Sequence, residues 1–284
     1  DPEMSRGLGD VYKRQIQETI SPDLLADQQA LLNRFFVVDP NTSVLSGEID
    51  GSTLLGKDLT LPENAEGPQI LIYHTHSQET FADSRPGERA DTVIGLGDDL
   101  QELLEKQYGY EVLHITEAFD MKEGCLERSR AYNYAEPVIA AALEEHPSIQ
   151  VVIDLHRDEV AEGTRLVTEI GGKKMARFMF FNGLSRTRRL GDIDSLPNEN
   201  IADNLAFSFQ MQVLCNEYYP GLTRRIYLKG YRYNMHLKQR YLLIEMGAQT
   251  NTYEECMNSC VPLAQMLDLE LSGKTDFTLD LEKG

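Results

Sequence analysis

Cysteine is scarce in this sequence, with four residues in 284, and none forms the Cys-x-x-Cys pair of structural zinc sites. Cys256 and Cys260 lie one helical turn apart, near the upper limit of Cα separation for a disulfide, so we expect two buried thiols. No run of about 18 apolar residues and no signal-peptide core is visible. We therefore expect a soluble chain that reaches a membrane only through an anchor absent from this sequence.

Basic residues are outnumbered, with 27 Lys and Arg against 46 Asp and Glu, a formal net charge of −19 and a pI near 4.7. Nucleic-acid binding and electrostatic docking on anionic lipid both need clustered Lys and Arg. We therefore expect no nucleic-acid partner. The acidic balance otherwise indicates only solubility.

Covalent nucleophiles are also poorly represented. No Gly-x-Ser-x-Gly elbow is present, and no cysteine lies in a polar context next to a histidine. The segment "GLGDDL" lacks the spacing of a phosphate-binding loop. These absences argue against serine and cysteine hydrolases and against nucleotide enzymes.

The chain divides into three parts by composition. Residues 1–15 show no apolar period, so we expect no element of the fold there. Residues 1–67 as a whole are expected to be an N-terminal arm and linker, because 38–66 is rich in turn-forming residues. From 68 to 272, strand-like runs alternate with helical periods, which predicts an α/β domain with a twisted, mainly parallel sheet flanked by helices. Residues 273–284 are expected to be a C-terminal tail.

Strands and helices within the domain follow from apolar periodicity. The predicted strands include 69–73, 149–156 and 241–247. The predicted helices include 92–109, 129–147, 200–221 and 252–271. Thr252 and Glu255 have the spacing of a capping box at the start of the last helix.

Three of the apolar runs end in residues that carry chemistry. "ILIY" is followed by His76 and Glu79, "VVIDL" by His156, and "YLLIE" carries Glu245 at its end. Taken singly, such a histidine is an ordinary surface residue and such a glutamate a solvated or capping one. Parallel strands, however, bring their carboxyl ends to one edge, where functional groups collect. Two imidazoles, one carboxylate ligand and one free carboxylate are the parts of a catalytic zinc site, which would make 68–272 a catalytic hydrolase domain.

In that order, the blocks "ILIYHTHSQETF", "VVIDLHRD" and "YLLIEMGAQTNTYEE" resemble the stage II sporulation protein P family of cell-wall hydrolases. The resemblance runs from about residue 68 to 270 and includes "DNLAFSFQM" and "YNMHLKQRYLLIEMG". It implies a fold similar to that of amidases and zinc carboxypeptidases. It also implies a zinc-dependent N-acetylmuramoyl-L-alanine amidase that degrades peptidoglycan during forespore engulfment, with an accompanying endopeptidase activity.

The same resemblance implies a place and a partner. Proteins of this family are expected outside the cytoplasm, in the intermembrane space between mother cell and forespore, and normally carry a membrane anchor. They are expected to work beside a glycan-cleaving partner similar to stage II sporulation protein D.

The resemblance also assigns roles. Glu245 is implied as the catalytic glutamate, with His156 and His76 as zinc ligands. The His-x-x-Glu spacing resembles that of zinc carboxypeptidases and favours Glu79 as the carboxylate ligand. Asp91 is the alternative, since classical amidases take an acidic ligand about fifteen residues after the first histidine.

Four further residues complete the expected site. His74 is expected to support the ligands from behind. Arg157 is expected to bind a stem-peptide carboxylate, with a salt bridge to a neighbouring acidic residue as the alternative. Asn234 and His236 are expected to line the cleft, His236 as an oxyanion donor or as a surface histidine. Two other functions stay open: a zinc peptidase that cuts cross-links, and a non-catalytic peptidoglycan-binding domain.

Overall fold

The computed structural model describes residues 20–62 and 66–275, so the expectations for 1–15 and for most of the C-terminal tail lie outside the described residues. The helices are α1 Pro22–Ala26, α2 Gln28–Phe35, α3 Gly51–Leu55, α4 Val93–Tyr108, α5 Ala131–Glu145, α6 Ile201–Tyr218 and α7 Tyr253–Leu271. The strands are β1 Phe36–Val38, β2 Ile70–Tyr73, β3 Val112–His114, β4 Met121–Lys122, β5 Cys125–Leu126, β6 Val151–Asp158, β7 Val167–Ile170, β8 Lys173–Ala176, β9 Met179–Gly183, β10 Arg186–Thr187, β11 Gly191–Asp192, β12 Ile226–Lys229 and β13 Tyr241–Ala248.

A seven-stranded sheet in the order β1-β12-β9-β13-β6-β2-β3 forms the centre of the molecule. Every neighbouring pair is parallel except β13 and β9, which run antiparallel. The predicted α/β fold with a mainly parallel sheet is confirmed. The single antiparallel junction means that β3, β2, β6 and β13 end at the edge where β9, β12 and β1 begin.

Helices cover both faces of this sheet. On one face a large core joins the sheet to α4, α6 and α7, as shown by fully buried Leu96, Phe207 and Leu263. On the other face a smaller core joins the sheet to α5 through Ala135 and Ile139. The strands are apolar on both sides because both sides are covered.

The predicted helix boundaries have local causes. Thr92 accepts a hydrogen bond from the backbone of Ile94 at the start of α4, and Gly109 ends that helix with φ of 78°, a conformation that glycine adopts without steric cost. The predicted capping box of Thr252 and Glu255 is present at the start of α7. Cys256 and Cys260 are buried free thiols, as predicted.

The expectation of a separate N-terminal arm and linker is corrected for the described residues 20–62. Phe36 pairs with Ile226, so β1 extends the main sheet, and α3 packs against α6. Leu25 and Leu31 are almost completely buried in the larger core. The physical reason is that burying the apolar side chains of this segment is favourable despite its turn-rich composition.

Among the helices of the described residues, none has both the length and the apolar character needed to span a bilayer.

Candidate active site

The candidate site is built on β6 and β13, which are neighbours in the sheet. Asp154 and His156 are two residues apart on β6, so both side chains emerge on the same face. Glu245 on β13 is paired in register with His156. Three of the groups are thereby fixed by regular strand geometry.

His76 reaches the same place from the loop after β2. Its ring centroid lies 5.3 Å from that of His156, with the two planes at 75°, and Tyr132 on α5 packs against its other side at 5.8 Å. The Nδ1 atom of His76 is buried and has no hydrogen-bond partner among the described residues. Burial and the neighbouring charge of His156 lower the pKa of His76 to about 4. A neutral imidazole with an unshared nitrogen lone pair is the form that binds a metal ion.

Glu79 is the carboxylate that faces the Nδ1 atom of His156. Its Oε2 lies 3.5 Å from His156 Nδ1 and accepts a 3.0 Å hydrogen bond from the backbone of Arg157, while Oε1 accepts a 2.5 Å bond from Arg128. Burial opposes the charge of Glu79, but the neighbouring His156 and the backbone N–H and charge of Arg157 outweigh it and lower the pKa of Glu79 to about 2. Glu79 is therefore held as a carboxylate beside His156.

Asp154 holds His156 from the side opposite Glu79. One of its oxygens lies 2.7 Å from His156 Nε2, and its carboxylate also accepts the backbone N–H of Thr75 at 2.9 Å and the Thr75 hydroxyl at 2.7 Å. Burial opposes a charge on His156, but the carboxylates of Asp154 and Glu79 raise its pKa well above the usual value. A fixed carboxylate of this kind orients the imidazole, and in the neutral ring that binds a metal it keeps the remaining proton on Nε2.

Glu245 has one carboxyl oxygen that no described residue contacts by a hydrogen bond. Its Oε2 atom is buried and accepts no hydrogen bond from the part of the chain that the structure describes. Burial raises the pKa of Glu245 to about 8; the charge of His156 opposes this rise, and nearby carboxylates add to it. A carboxyl group whose pKa lies near neutrality both accepts and returns protons at physiological pH.

The types of donor in this cluster suit zinc, which binds imidazole nitrogens and carboxylate oxygens. The half-buried imidazole of His76, whose buried Nδ1 has no partner among the described residues, lies next to the buried imidazole of His156, and Glu79 lies beside the latter. As the side chains lie, however, no three His, Cys, Asp or Glu residues in the described ranges form a set that could hold an ion.

Asp91 and His74 lie in networks of their own. Arg85 holds both oxygens of Asp91, at 2.7 and 2.9 Å. His74 lies against the carbonyl of Leu155 at 2.7 Å and against Nε2 of His114 at 2.8 Å. His74 is thus fixed through the backbone of the residue that precedes His156, which agrees with a supporting role but does not test it.

The three expected substrate-binding residues have partners within the protein. Arg157 donates to the carbonyl of Thr80 at 3.0 Å. Asn234 is 3% exposed and donates to the carbonyl of Tyr132 at 2.9 Å. His236 lies 3.2 Å from Glu136. Their roles in substrate binding stay predictions.

Sequence reasoning did not single out Asp154, Arg128 or Tyr132. Asp154 had a readable signal, because a charged residue inside the apolar run "VVIDLH", two positions before His156, requires a buried partner. Arg128 and Tyr132 had none, since they reach the site from a distant short helical turn and from α5.

Comparisons with known proteins show which family and which solved structure this chain is similar to. The chain is 28% identical over 201 residues to stage II sporulation protein P of Bacillus subtilis (strain 168), covering 66% of this chain and 47% of that protein. The chain thus spans about half the length of this curated relative. A solved structure, titled as an N-acetylmuramoyl-L-alanine amidase from Clostridium difficile 630, is similar with a TM-score of 0.44 and 12% identity, covering 72% of this chain and 94% of that one. The profile of stage II sporulation protein P matches residues 21–268, and the chain therefore belongs to the stage II sporulation protein P family.

Proposed function

We propose that this protein is a peptidoglycan hydrolase of sporulation, cleaving the amide bond between N-acetylmuramic acid and the stem peptide in forespore engulfment. Membership of the sporulation family supports the biological setting. The observation that carries the chemistry is Glu245: a carboxyl group with a buried, unpartnered oxygen, paired in register with His156. Burying a carboxyl oxygen without a hydrogen bond costs free energy, and such a group is typical of a residue that carries protons in catalysis.

We infer that zinc is the cofactor and that His76, His156 and Glu79 hold it. When bound there, zinc would supply an activated water and polarise the scissile carbonyl. Support comes from the unpartnered nitrogen of His76 and the position of Glu79 beside His156. Asp91 remains the alternative carboxylate.

The protein's own residues then divide the remaining work. Glu245 takes a proton from the attacking water and returns it to the nitrogen of the leaving stem peptide. Asp154 holds the His156 ring in place through its 2.7 Å contact. No covalent intermediate is required, which agrees with the absence of an activated serine or cysteine.

Substitution of Glu245 by Gln tests the proposal, because it keeps the shape of the side chain and removes its proton-carrying carboxylate. We expect release of stem peptides from peptidoglycan to fall by at least about a hundredfold, while zinc content measured by elemental analysis is unchanged. Glu144→Gln, at an exposed position on α5, is the control. Wild-type activity in Glu245→Gln would overturn the assignment.

Mass spectrometry of the released fragments separates the amidase from a peptidase acting through the same site. An amidase frees the bond between the lactyl group and the first alanine, whereas an endopeptidase cuts within the peptides and leaves that bond intact. A protein that binds peptidoglycan without cutting it gives neither product. We further propose that the protein acts outside the cytoplasm beside a glycan-cleaving partner similar to stage II sporulation protein D.

A further inference from the structure

A cleft of about 470 Å³ lies beside the candidate active site. Every charged side chain that lines it is an arginine, which is unusual in a chain of net charge −19. We call it the arginine cleft, and its defining residues are Arg34, Arg177, Gln212, Arg224, Arg225 and Tyr227.

The topology of the sheet puts the arginine cleft at the catalytic edge. Arg177 comes two residues before β9, and Arg224 and Arg225 come directly before β12. Because β9 and β12 run opposite to β6 and β13, their first residues lie at the edge where His156 and Glu245 are found.

The separation between the two sites follows from strand spacing. Met179, which lines the cleft, is the register partner of Glu245. Strands are about 4.8 Å apart, so the cleft extends roughly 5 to 15 Å from Glu245 across β9, β12 and β1. That span corresponds to about two to four residues of extended peptide.

Two of the arginines, Arg177 and Arg225, are held by backbone carbonyls. Arg177 donates to the carbonyls of Gly221 at 3.0 Å and Thr223 at 3.2 Å, and Arg225 donates to the carbonyl of Asn33 at 2.9 Å. Carbonyl partners orient a guanidinium without neutralising it. Both groups are therefore positioned and still cationic.

Two acidic side chains lie at the margins of the cleft. Asp158 forms a 2.6 Å ion pair with Arg224. Asp39 accepts a 3.0 Å hydrogen bond from the Tyr227 hydroxyl. Neither carboxylate is within ion-pair distance of Arg177 or Arg225 in the described ranges, so the positive charge of these two remains for a ligand.

A buried amide adds a second requirement for that ligand. Gln212 is 3% exposed, and its nitrogen donates to Thr223 at 2.7 Å and to Asn216 at 3.1 Å. Its Oε1 is buried and receives no hydrogen bond from the described residues. A buried acceptor left unsatisfied is costly unless a donor arrives, so the fitting ligand carries a hydrogen-bond donor as well as an anion. A peptide carboxylate with its adjacent amide has the two on separate groups, whereas the only donor of inorganic phosphate is a hydroxyl on the anion itself.

We propose that the arginine cleft binds a carboxylate of the stem peptide, two to four residues from the amide bond that the neighbouring site cleaves. This inference rests on the proposed function for the identity of the peptide. The arginines act by bidentate, charge-assisted hydrogen bonds to the carboxylate. They hold the peptide in line with the catalytic groups and take no part in the bond cleavage.

Direct binding tests the proposal without requiring turnover. The full chain is titrated calorimetrically with a soluble stem peptide, with the same peptide carrying carboxamides in place of its carboxylates, and with inorganic phosphate. We expect the acidic peptide to bind at least about tenfold more tightly than the amidated form, the difference expected for charged hydrogen bonds. Equal binding of both peptides, or phosphate binding as tightly as the acidic peptide, would overturn it.

Variants locate the binding in the cleft. Arg225→Gln, at an exposed position with little risk to folding, and Arg177→Gln should each weaken binding of the acidic peptide about tenfold or more and leave binding of the amidated form unchanged. Arg189→Gln, an exposed arginine beyond the cleft, is the matched control. If Arg225→Gln and Arg177→Gln both bind like the wild type, the site lies elsewhere and the inference is wrong.

Kinetics distinguish this inference from the proposed function. Arg225→Gln should raise KM for peptidoglycan fragments with little change in kcat, since its contact is made equally in the ground and transition states; a fall in kcat at unchanged KM would count against the cleft. Failure of the hydrolase assignment is seen instead in Glu245→Gln. If Glu245→Gln still binds the acidic peptide more tightly than the amidated one, that result supports the cleft independently of catalysis.

Discussion

Asp154 is the residue on which the position of His156 depends. It is completely buried, and its carboxylate contacts His156 and Thr75 together. Removing the charge leaves the shape but weakens the hold on the ring. The effect should therefore appear in metal affinity before it appears in folding.

We expect Asp154→Asn to lower zinc affinity by about 10- to 100-fold, the usual range for loss of a carboxylate behind a metal-binding histidine. Competition with a fluorescent chelator measures it. Asp120→Asn is the matched control, because Asp120 is equally buried and accepts a 2.6 Å bond from Ser77 but none from either imidazole. If both variants lose the same amount of zinc affinity, Asp154 acts by supporting the loop after β2 and not by holding His156.

Glu79 and Asp91 can be separated by a pair of isosteric substitutions. Glu79 Oε2 lies 3.5 Å from His156 Nδ1, whereas Arg85 occupies both oxygens of Asp91. We expect Glu79→Gln to lose zinc on dialysis and to lose activity, while Asp91→Asn keeps both. Elemental analysis and peptide release provide the measurements, and the reverse pattern would make Asp91 the ligand.

The histidines and Glu245 were predictable from the sequence because each follows or ends a continuous apolar run, and the carboxyl ends of parallel strands are where functional residues meet. Arg128, which holds Glu79, was not predictable. Its contact depends on how the segment before α5 folds back over the loop after β2, and no local pattern records a contact across 49 positions.

At the level of elements, α7 carries an unusual buried acid. Glu270 is 2% exposed, its Oε2 has no hydrogen-bond partner in the described ranges, and burial raises its pKa to about 8. The folded protein therefore holds a proton on Glu270 between about pH 4.5 and 8, where the unfolded chain has released it. Because the folded state binds more protons there, the stability of the fold decreases as pH rises through that window.

We expect Glu270→Gln to remove this dependence and to stabilise the protein by up to about 3 kcal/mol at pH 7, with little effect at pH 4.5. Urea unfolding at several pH values measures it. Glu254→Gln, exposed on the same helix, should leave the slope with pH unchanged. A slope that is the same in Glu270→Gln and wild type would contradict the explanation that burial keeps Glu270 protonated in the folded state.

Elements differ in how far sequence predicts them. Helices α4 and α7 were predicted because a long apolar period, caps and a terminal glycine agree with one another. Strand β1 was not predicted, because its three residues follow α2 without a turn. The apolar pair Phe35-Phe36 continues the helical pattern in the sequence, although the backbone of Phe36 is already extended. The reversal of β9 could not be predicted either, since an apolar run carries no information about strand direction.

For the whole molecule, the sheet reversal matters more than any single strand. It brings the first residues of β9 and β12 to the edge that holds His156 and Glu245. Residues from the N-terminal segment, which composition alone assigns to an arm, pack into the same core. His156, Glu245 and the arginine cleft therefore belong to one folded body, and a ligand bound at the edge should stabilise that body as a whole.

Zinc should accordingly raise the thermal midpoint of the protein. At a free concentration about 100 times its Kd, a ligand that binds only the folded state adds about 2.7 kcal/mol, which corresponds to about 5–10 °C for a domain of this size. Differential scanning calorimetry with zinc and with chelator measures the shift. Glu245→Gln should keep the shift, since Glu245 is proposed to carry protons and not to bind the ion, whereas His76→Ala should lose it. A shift that persists in His76→Ala would locate zinc away from the paired imidazoles, and one lost in Glu245→Gln would make Glu245 a ligand.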